Sequence, residues 1–425
     1  MLILAQLATY SVIALSFLFL VSFFLGWLQK RQVTDQMANA DLALFKAETE
    51  LVLEQKRVQE KTSELSWNSF RKFELVKKEM EAQDQCSFYL SPHDRRPLPP
   101  FKPGQYLTFQ LNIPGQKKPV IRCYSLSDSA FNPDHYRLTV KKVHAPRDQD
   151  VPPGLSSNYF HDVLEVSDII EVKAPSGGFF FDLTKPHPAV LIGGGIGLTP
   201  VLSMVNSMID SGYKQETWFF YGVRNRIEHA MKEHLQRLDE ENDWLHLQVC
   251  YSAPGDDDVL GDDYHQKGRV SVELMSKILP SNNYNYYMCG PPAMMNTVVA
   301  DLEEWGVPEK HIHFEAFGPA SVKKAKPAEP AVGDAPAEAK ATFEVSFAKS
   351  GKKFEWDGES DSILEFAEEN DIDMEFGCRA GNCGSCMTAV KSGDVELVQE
   401  AGADCEKGSC LTCVSIPKSN LVLDA

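Results

Sequence analysis

Three cysteines stand close together near the C-terminal end of the 425-residue chain, in the stretch GCRAGNCGSCMTAV of residues 377–390. Four residues separate Cys378 from Cys383, and two separate Cys383 from Cys386. With another cysteine further along the chain, this spacing is that of a [2Fe–2S] cluster. The small residues between the cysteines fit the same interpretation, because a loop around a cluster brings its backbone N–H groups close to the sulfurs. The pattern therefore predicts a cluster bound by these cysteines.

A zinc site is the alternative that the cysteines leave open. Residues 383–386 form one Cys-x2-Cys pair and residues 410–413 form a second, and such pairs often bind zinc. Zinc would leave Cys378 without a role and the glycines unexplained, so we favour the cluster. By spacing alone, three residues compete to be its fourth ligand: Cys405, Cys410 and Cys413.

A second group of residues could bind a nucleotide. Arg122, Tyr124 and Ser125 lie at the end of a predicted strand, IRCYSLS. Arginine can hold a phosphate through two hydrogen bonds, tyrosine offers an aromatic face and serine a hydroxyl. The Gly-rich turn GGGIGLTP, residues 193–200, joins another predicted strand to a helix, which is a weak sign of a dinucleotide site. Taken alone, each stretch also suits an ordinary strand or turn.

Changes in pattern divide the chain into domains that would position these residues. Residues 67–184 contain short apolar segments separated by Pro, Gly and Asp, which predicts an antiparallel β-barrel or sandwich. Residues 185–318 alternate apolar strands with helices, which predicts an α/β domain with a mostly parallel sheet. Residues 319–341 are rich in Ala, Pro, Lys and Glu and are predicted to be a linker. The cysteine loop lies in the last domain, residues 342–425.

The N-terminal residues 1–29 contain no charged side chain. About 20 apolar residues suffice to cross a bilayer, so we expect residues 2–28 to form a transmembrane helix, with a cleaved or buried segment as the alternative. Lys30 and Arg31 follow directly, and the positive-inside rule then places the later domains in the cytoplasm. We therefore expect a multidomain, single-pass membrane protein with cytoplasmic catalytic domains.

Residues 30–66 are predicted to form a helical stalk, because they lack Gly and Pro and alternate in charge sign. Leu44, Leu51, Val58 and Leu65 repeat every seven residues, but the second apolar row that a coiled coil needs is poor. A solvated stalk is therefore expected, and dimerisation through the single apolar row is the alternative.

Net charge limits the class of partner. The chain has a formal net charge of −18, which argues against nucleic acid, because nucleic acids bind basic surfaces. From residue 341 onward, 17 acidic and 7 basic residues leave a net charge of −10. This charge either keeps the C-terminal domain soluble or forms a docking face for a basic partner.

Longer motifs extend these patterns and resemble a known family. LPPFKPGQYLTFQL, IRCYSLSD, PPGLSSNYFHD, GGGIGLTP, MCGPPAMM and HFEAFGP occur in the order and spacing of the ferredoxin–NADP reductase superfamily. They are most similar to the reductase part of flavohaemoglobins. GCRAGNCGSC together with LTCVSIP resembles plant-type ferredoxins. The two resemblances cover residues 68–319 and the C-terminal domain.

The resemblance to the reductases implies the flavin contacts. Arg122 would meet a flavin phosphate, Tyr124 would pack on the isoalloxazine ring, and Ser125 would reach its N5 atom. Phe317 would cover the other face of the ring. The PPGLSSNYF motif implies a helix start that holds a pyrophosphate, and hence FAD rather than FMN, through Gly154, Ser156 and Ser157.

The same resemblance implies the nicotinamide and cluster contacts. Cys289 would lie near the nicotinamide, Glu315 would help to orient the hydride donor, and both would join Ser125 as catalytic residues. The remaining dinucleotide contacts would be Gly193, Gly194, Gly195, Gly197, Thr199, Pro200, Gly290 and Pro291. The ferredoxin resemblance implies an α+β domain of the β-grasp type, with Cys413 as the fourth ligand beside Cys378, Cys383 and Cys386.

The implied order of electron transfer is NADH to FAD to the [2Fe–2S] cluster. A nicotinamide gives two electrons as a hydride and a cluster takes one at a time, so the flavin stands between them as converter. The expected acceptor is another protein, such as an oxygenase, or a membrane quinone; the alternative is an electron-transfer subunit of a larger membrane complex that reduces a quinone. NADH is expected over NADPH because residues 256–258 are all aspartate, although Arg224 and Arg226 argue the other way.

Overall fold

The computed structural model describes residues 20, 22–24, 26–27, 30–31, 56, 62, 64–67, 69–132, 134–145, 152–317, 342–377, 379, 381, 384–398 and 405–425. Most of the predicted anchor and stalk, the whole predicted linker, Cys378 and Cys383 lie outside these residues. Within them, no helix has the length and apolar character needed to cross a membrane. Internal contacts divide the chain into Met1–Ser63 and Glu64–Ala425, and all the domains described below belong to the second unit.

Antiparallel strands form the first domain. Their bounds are β1 (Arg71–Ala82), β2 (Gln85–Pro92), β3 (Tyr106–Leu111), β4 (Val120–Ser125), β5 (Tyr136–Lys141) and β6 (Ile169–Val172). They form one sheet in the order β4-β3-β6-β1-β2-β5, whose edges meet where Leu126 pairs with Leu138. In β1 the buried Phe73 and Leu75 alternate with more exposed neighbours, so the alternation in the sequence directs one face of the sheet to the core.

A short helical segment closes this core. Helix α1 (Leu155–Asn158) continues into a π-helical turn at Tyr159–Val163. Phe160 in that turn is fully buried and lies edge-on to Phe88 of β2 and Phe109 of β3. The turn is therefore held against the strands by aromatic packing.

A parallel sheet forms the second domain. Its elements are β7 (Ala189–Gly194), α2 (Leu198–Asp210), β8 (Thr217–Val223), α3 (Lys232–Glu241), β9 (Leu245–Tyr251), β10 (Gln266–Lys267), α4 (Val272–Ile278), β11 (Asn285–Gly290), α5 (Pro292–Glu304) and β12 (Ile312–Ala316). The strand order is β10-β9-β8-β7-β11-β12. Every residue of β7 is buried, as expected for a strand covered on both faces. Because the order reverses between β7 and β11, the carboxyl ends of these two strands form the edge where α/β folds bind ligands.

The third domain combines a mixed sheet with one described helix. Its elements are β13 (Phe343–Phe347), β14 (Lys352–Trp356), α6 (Ile363–Glu369), β15 (Met387–Ser392), β16 (Val395–Leu397), β17 (Ser409–Leu411), β18 (Ser415–Pro417) and β19 (Leu421–Leu423). The main sheet has the order β14-β13-β19-β15-β17, and β16 pairs with β18. Ser362 caps α6, since its hydroxyl accepts the Glu365 N–H at 3.2 Å, which satisfies a donor that a helix start leaves open.

The observed elements follow the predicted order, with one clear difference. The sequence pattern predicts a strand over residues 168–181, but β6 ends at Val172. Gly177 has a φ of +123°, a conformation that interrupts a strand. The residues after β6 therefore form a connection to the second domain and not a longer strand.

Candidate functional site

Strand β4 carries the predicted flavin motif. Arg122 and Tyr124 lie two residues apart, so their side chains project from the same face. The Tyr124 ring lies edge-on to Phe109 and Phe160, with centroid separations of 5.7 and 5.0 Å. Arg122 is half-buried and donates to the Ile121 carbonyl at 2.6 Å. An aromatic ring held by its edges, beside a cation, suits a phosphorylated ring system such as a flavin nucleotide.

The two serines that follow Gly154, Ser156 and Ser157, make different contacts. A Cβ at Gly154 would lie 2.8 Å from the Val143 Cβ, so a glycine is needed there. The Ser157 hydroxyl donates to the Gly154 carbonyl at 3.1 Å and accepts the Val143 N–H at 3.2 Å, so it stabilises the turn. The Ser156 hydroxyl is buried and has no hydrogen-bond partner among the described residues. Ser156 therefore fits a ligand contact better than Ser157 does.

The Gly-rich loop packs directly against the end of the neighbouring strand. A Cβ at Gly197 would lie 2.2 Å from the Cys289 carbonyl oxygen, and one at Gly290 would lie 3.1 Å from the Gly194 Cα. These glycines let the ends of β7 and β11 approach each other closely, with the Met294 side chain packed against Gly194 and Gly290. Gly193 makes a different close approach, between β7 and the start of α2, since its Cβ would meet the Leu198 Cα at 3.3 Å. The Gly-rich loop and the Cys289 segment therefore lie side by side at the carboxyl ends of β7 and β11, where the strand order of the sheet reverses.

Most of the remaining predicted dinucleotide contacts take part in the fold itself, and one is open to a ligand. The Thr199 hydroxyl donates to the Ile196 carbonyl at 3.1 Å, and Pro200 is buried in the first turn of α2. Pro291 is the N-cap of α5. Gly195 has a φ of +54°, and no described atom lies within 4 Å of where its Cβ would be. Gly195 is thus the loop residue that the structure leaves open to a dinucleotide.

The three predicted catalytic residues are brought together across the two domains. The Ser125 hydroxyl at the end of β4 donates to the Glu315 carboxyl at 3.4 Å. Cys289 of β11 pairs in register with Glu315 of β12, and all three side chains are buried. Phe317, just beyond β12, is 36% exposed, so its ring is accessible to a cofactor.

Burial sets the protonation of this cluster. It raises the pKa of Glu315 to about 8, against the opposing effect of the Ser125 hydrogen bond. Burial, together with the nearby Glu315 charge, also raises the pKa of the Cys289 thiol well above its usual value. At neutral pH the carboxyl is therefore mostly protonated and the thiol is neutral. A neutral thiol is a poor nucleophile, so Cys289 suits a packing or positioning role.

Two serines that the sequence reasoning missed hold the domains in register. On α2, the Ser203 hydroxyl donates to the Asp128 carbonyl at 2.7 Å, and the Ser207 hydroxyl accepts the Ala130 N–H at 2.9 Å. Both serines are fully buried and stand four residues apart, so they share one face of the helix. The sequence does contain a signal for this contact: two polar residues stand four positions apart in an otherwise apolar helix.

Cys386 and Cys413 meet in the third domain. Their sulfurs lie 3.1 Å apart, although 26 residues separate the two in sequence. The Thr412 hydroxyl donates to the Cys386 carbonyl at 3.1 Å and ties the two segments together. Gly381 and Gly384 have φ values of +72° and +70°, which lets the loop turn its backbone toward the sulfurs. Cys386 and Cys413 would therefore fit as two of the cysteine ligands of one [2Fe–2S] cluster.

The other two candidate ligands are placed differently. Cys410 lies in β17 opposite Thr388 of β15 and is 2% exposed; burial raises the pKa of its thiol to about 12. Cys405 is exposed, and its thiol donates to the Ser409 carbonyl at 3.2 Å. The direct contact between the Cys386 and Cys413 sulfurs therefore favours Cys413 as the fourth ligand.

Replacement of individual cysteines tests the fourth ligand. Cys413→Ser should abolish or strongly alter the EPR signal of the reduced cluster, because the sulfur facing Cys386 is lost. Cys410→Ser is the matched control, since it removes a thiol of equal size from the same core and should leave the signal intact. The reverse pattern would show that Cys410 is the ligand.

The high pKa of Glu315 predicts a stability that depends on pH. Between its usual value of 4.5 and the raised value of about 8, the folded protein binds a proton that the unfolded chain has released. Stability should therefore fall as pH rises through this range. Glu315→Gln, which stays neutral, should match wild type at the lower pH and become progressively more heat-stable than wild type toward the higher pH. Thermal unfolding of the FAD-loaded protein, followed by circular dichroism, measures this.

Glu303→Gln is the control for that experiment. Glu303 is exposed on α5 of the same domain. Its replacement should therefore change the unfolding temperature by the same small amount at the lower and at the upper end of this pH range. Parallel pH curves for wild type and Glu315→Gln would contradict a buried, protonated carboxyl.

Three protein families match consecutive parts of the chain. The "Oxidoreductase FAD-binding domain" matches residues 72–181, the "Oxidoreductase NAD-binding domain" matches residues 191–300, and the "2Fe-2S iron-sulfur cluster binding domain" matches residues 347–418. The first range contains the Arg122 motif, the second the Gly-rich loop, and the third all four predicted cluster cysteines. FAD, NAD(P)H and a [2Fe–2S] cluster are therefore the cofactors and substrate of these domains.

Curated relatives match the first two domains. A flavohemoprotein of Bacillus cereus is 40% identical over 255 residues, which is 60% of this chain and 62% of that protein. A flavohemoprotein of Rhodopirellula baltica is 40% identical over 256 residues, again 60% and 62%. The chain thus spans less than two thirds of the length of these relatives, and the similarity concerns their shared FAD/NAD module.

Solved structures extend the similarity to the third domain. The FAD/NAD-binding domain of a nitric oxide dioxygenase from Vibrio cholerae has 32% identity and a TM-score of 0.53, covering 59% of this chain and all of that one. Phthalate dioxygenase reductase, a modular structure for electron transfer from pyridine nucleotides to [2Fe–2S], has 28% identity and a TM-score of 0.52, covering 84% of this chain and 98% of that one. The chain therefore combines an NAD(P)H-dependent FAD/NAD reductase module, like those of ferredoxin–NADP reductases and flavohemoproteins, with a C-terminal [2Fe–2S] ferredoxin domain.

Proposed function

We propose that this reductase passes electrons from NADH through FAD to its [2Fe–2S] cluster and on to a separate acceptor protein, such as an oxygenase. The hydrogen bond between Ser125 and Glu315 carries the proposal, because it joins the flavin motif to the nucleotide sheet. The acceptor class is supported by the similarity to phthalate dioxygenase reductase, which covers 98% of that protein.

Each residue at this junction would position the flavin in a different way. Bound FAD would supply the chemistry that connects a two-electron hydride donor to a one-electron cluster, and the residues at this junction would hold and orient it. Tyr124 is fixed by its aromatic neighbours and would support one face of the ring, while the exposed Phe317 would cover the other. Because the neutral Glu315 carboxyl accepts only a long hydrogen bond of 3.4 Å from the Ser125 hydroxyl, that hydroxyl could turn its single hydrogen toward the ring edge when FAD is bound. The buried Cys289 closes the site without introducing a charge.

We further propose that residues 2–28 anchor the protein in a membrane, with the catalytic domains in the cytoplasm. The apolar run before Lys30 and the two cations that follow it support this arrangement. The anchor would bring the reductase close to a membrane-associated acceptor. Electron transfer itself uses only residues beyond position 100 in this proposal.

Reduction of an artificial acceptor tests the proposed function. The purified, cofactor-loaded protein should reduce ferricyanide and cytochrome c with NADH as the only donor. Ferricyanide accepts electrons readily from a flavin, whereas cytochrome c should also depend on the cluster, so Cys413→Ser should lose the second activity more than the first. Failure of both activities without added subunits would favour the alternative of an electron-transfer subunit within a larger membrane complex.

NADH should be the preferred donor. A 2′-phosphate needs a cationic contact, and a hydrogen bond to a charged group is worth about 1.5–3 kcal/mol. The two arginines near this site each have a carboxylate close by, since Arg224 lies 3.6 Å from Glu228 and Arg226 lies 3.6 Å from Asp258. The value of kcat/KM should therefore be at least about tenfold higher with NADH, as the loss of one such contact predicts. A higher value with NADPH would overturn this preference.

Removal of residues 1–63 should separate catalysis from membrane access. The cut falls at the boundary between the two units, so NADH–ferricyanide activity and flavin content should stay near normal. Reduction of the native membrane acceptor should fall, because the reductase would no longer be concentrated at the membrane surface. Titration of both forms into native membranes at equal concentration measures this. Equal rates, or loss of flavin from the shortened protein, would contradict the proposed division.

A further inference from the structure

Two loops are joined at the carboxyl ends of β8 and β9. The residues after β8 include a short helical turn at Arg226–Glu228, and those after β9 lead to Asp258. The Ser252 N–H donates to the Val223 carbonyl at 3.0 Å, and the Ala253 N–H donates to the Arg224 carbonyl at 2.9 Å. In α/β folds this edge of the sheet binds the nucleotide. The two loops therefore lie at the part of the nucleotide site that is formed by the ends of β8 and β9.

Asp258 holds these loops with its carboxylate. One oxygen accepts the Gly255 N–H at 2.9 Å and the Arg226 N–H at 3.4 Å. The other lies 3.6 Å from Nε of Arg226. The Asp258 side chain is only 6% exposed, whereas that of Arg226 is 52% exposed. A carboxylate with so little exposed side chain is stabilised by an opposite charge, and the Arg226 guanidinium supplies one at ion-pair distance.

The second arginine of this edge is also matched by a carboxylate. Arg224 lies 3.6 Å from Glu228, and Glu228 is shared with Lys141 of the flavin domain at 3.2 Å. The Arg224 side chain is 68% exposed, and exposed pairs of this kind are weak. Arg226 differs, because its partner is buried. The cation whose position is most strongly determined is therefore Arg226.

We propose that Asp258 is a specificity-determining residue, which favours a nucleotide without a 2′-phosphate by holding the Arg226 guanidinium that would otherwise bind that phosphate. The inference rests on the proposed function and deepens it. Asp258 acts through Arg226 and is a positioning residue; it does not act mainly as a repelling charge. The neighbouring Asp256 and Asp257 are exposed, so repulsion from them is screened by water and salt.

Two substitutions that each remove one carboxylate charge distinguish positioning of Arg226 from direct repulsion of the 2′-phosphate. Asp258→Asn keeps an oxygen that can accept the Gly255 N–H but removes the charge that pairs with Arg226. Asp257→Asn removes one charge from the same loop without touching Arg226. With ferricyanide as acceptor, the ratio of kcat/KM for NADPH to that for NADH should rise about tenfold or more in Asp258→Asn, the fold-change expected from one charge-assisted hydrogen bond. It should change little in Asp257→Asn.

A binding measurement without turnover provides the second readout. Calorimetry should show adenosine 2′,5′-bisphosphate binding about tenfold more tightly to Asp258→Asn than to wild type, while the affinity for adenosine 5′-monophosphate stays the same. Adding Arg226→Gln to Asp258→Asn should cancel both gains, because the freed cation is then absent. Flavin content and circular dichroism of each variant establish that it is folded, and Asp258→Ser, with a smaller acceptor, provides a second variant of the same type.

The outcomes separate this inference from the proposed function. Equal shifts in Asp258→Asn and Asp257→Asn would overturn it in favour of simple repulsion. A gain that persists in the Asp258→Asn/Arg226→Gln double variant would also overturn it. If wild type reduces ferricyanide with NADH but neither readout shifts in Asp258→Asn, only this inference fails. If wild type does not use NADH at all, the proposed function fails with it.

Discussion

A buried carboxyl group at the junction of two domains constrains the rest of the reductase. Glu315 is 7% exposed, and an unpaired carboxylate in such a place would cost several kcal/mol, on the order of the effective penalty for a buried ion. The site avoids this cost by keeping the carboxyl protonated and placing it against the Ser125 hydroxyl. Because that hydroxyl belongs to the flavin domain and the carboxyl to the nucleotide domain, the end of β4 must lie against β12 whenever the site is formed.

Small residues make this junction rigid. Ser203 and Ser207 bind the backbone of the segment after β4 directly, and Gly197 lets the nucleotide loop rest on the carbonyl of Cys289. At the two serines a short side chain reaches the backbone of the other domain, and at Gly197 two backbone segments meet where a larger side chain would keep them apart. These short contacts leave little freedom, so the flavin and nicotinamide sites keep a fixed relative position, which suits a reaction sensitive to small displacements.

The sequence predicted motifs and domain order better than it predicted individual roles. Strand periodicity located β1 to β5 and β7 to β9, since one face or both faces of these strands are buried. It could not distinguish Ser156 from Ser157, because only the folded turn shows that Ser157 is engaged by Val143 and Gly154. It also grouped Asp258 with its exposed neighbours, although the fold buries Asp258 against Arg226. Such differences arise from contacts between residues distant in sequence, which local patterns do not contain.

The contact between the ferredoxin and flavin domains is of a different kind. Among the described residues, Lys118 of the β3–β4 loop forms an ion pair with Asp373 of the ferredoxin domain, and their side chains are 73% and 77% exposed. A pair so exposed contributes only about 0–1 kcal/mol and weakens further with salt. Hydride transfer needs a fixed geometry, and the buried Ser125, Ser203 and Ser207 contacts supply it. The proposed delivery of single electrons to a separate acceptor would require the ferredoxin domain to leave the flavin, and a weak surface ion pair would permit that release where a buried interface would oppose it.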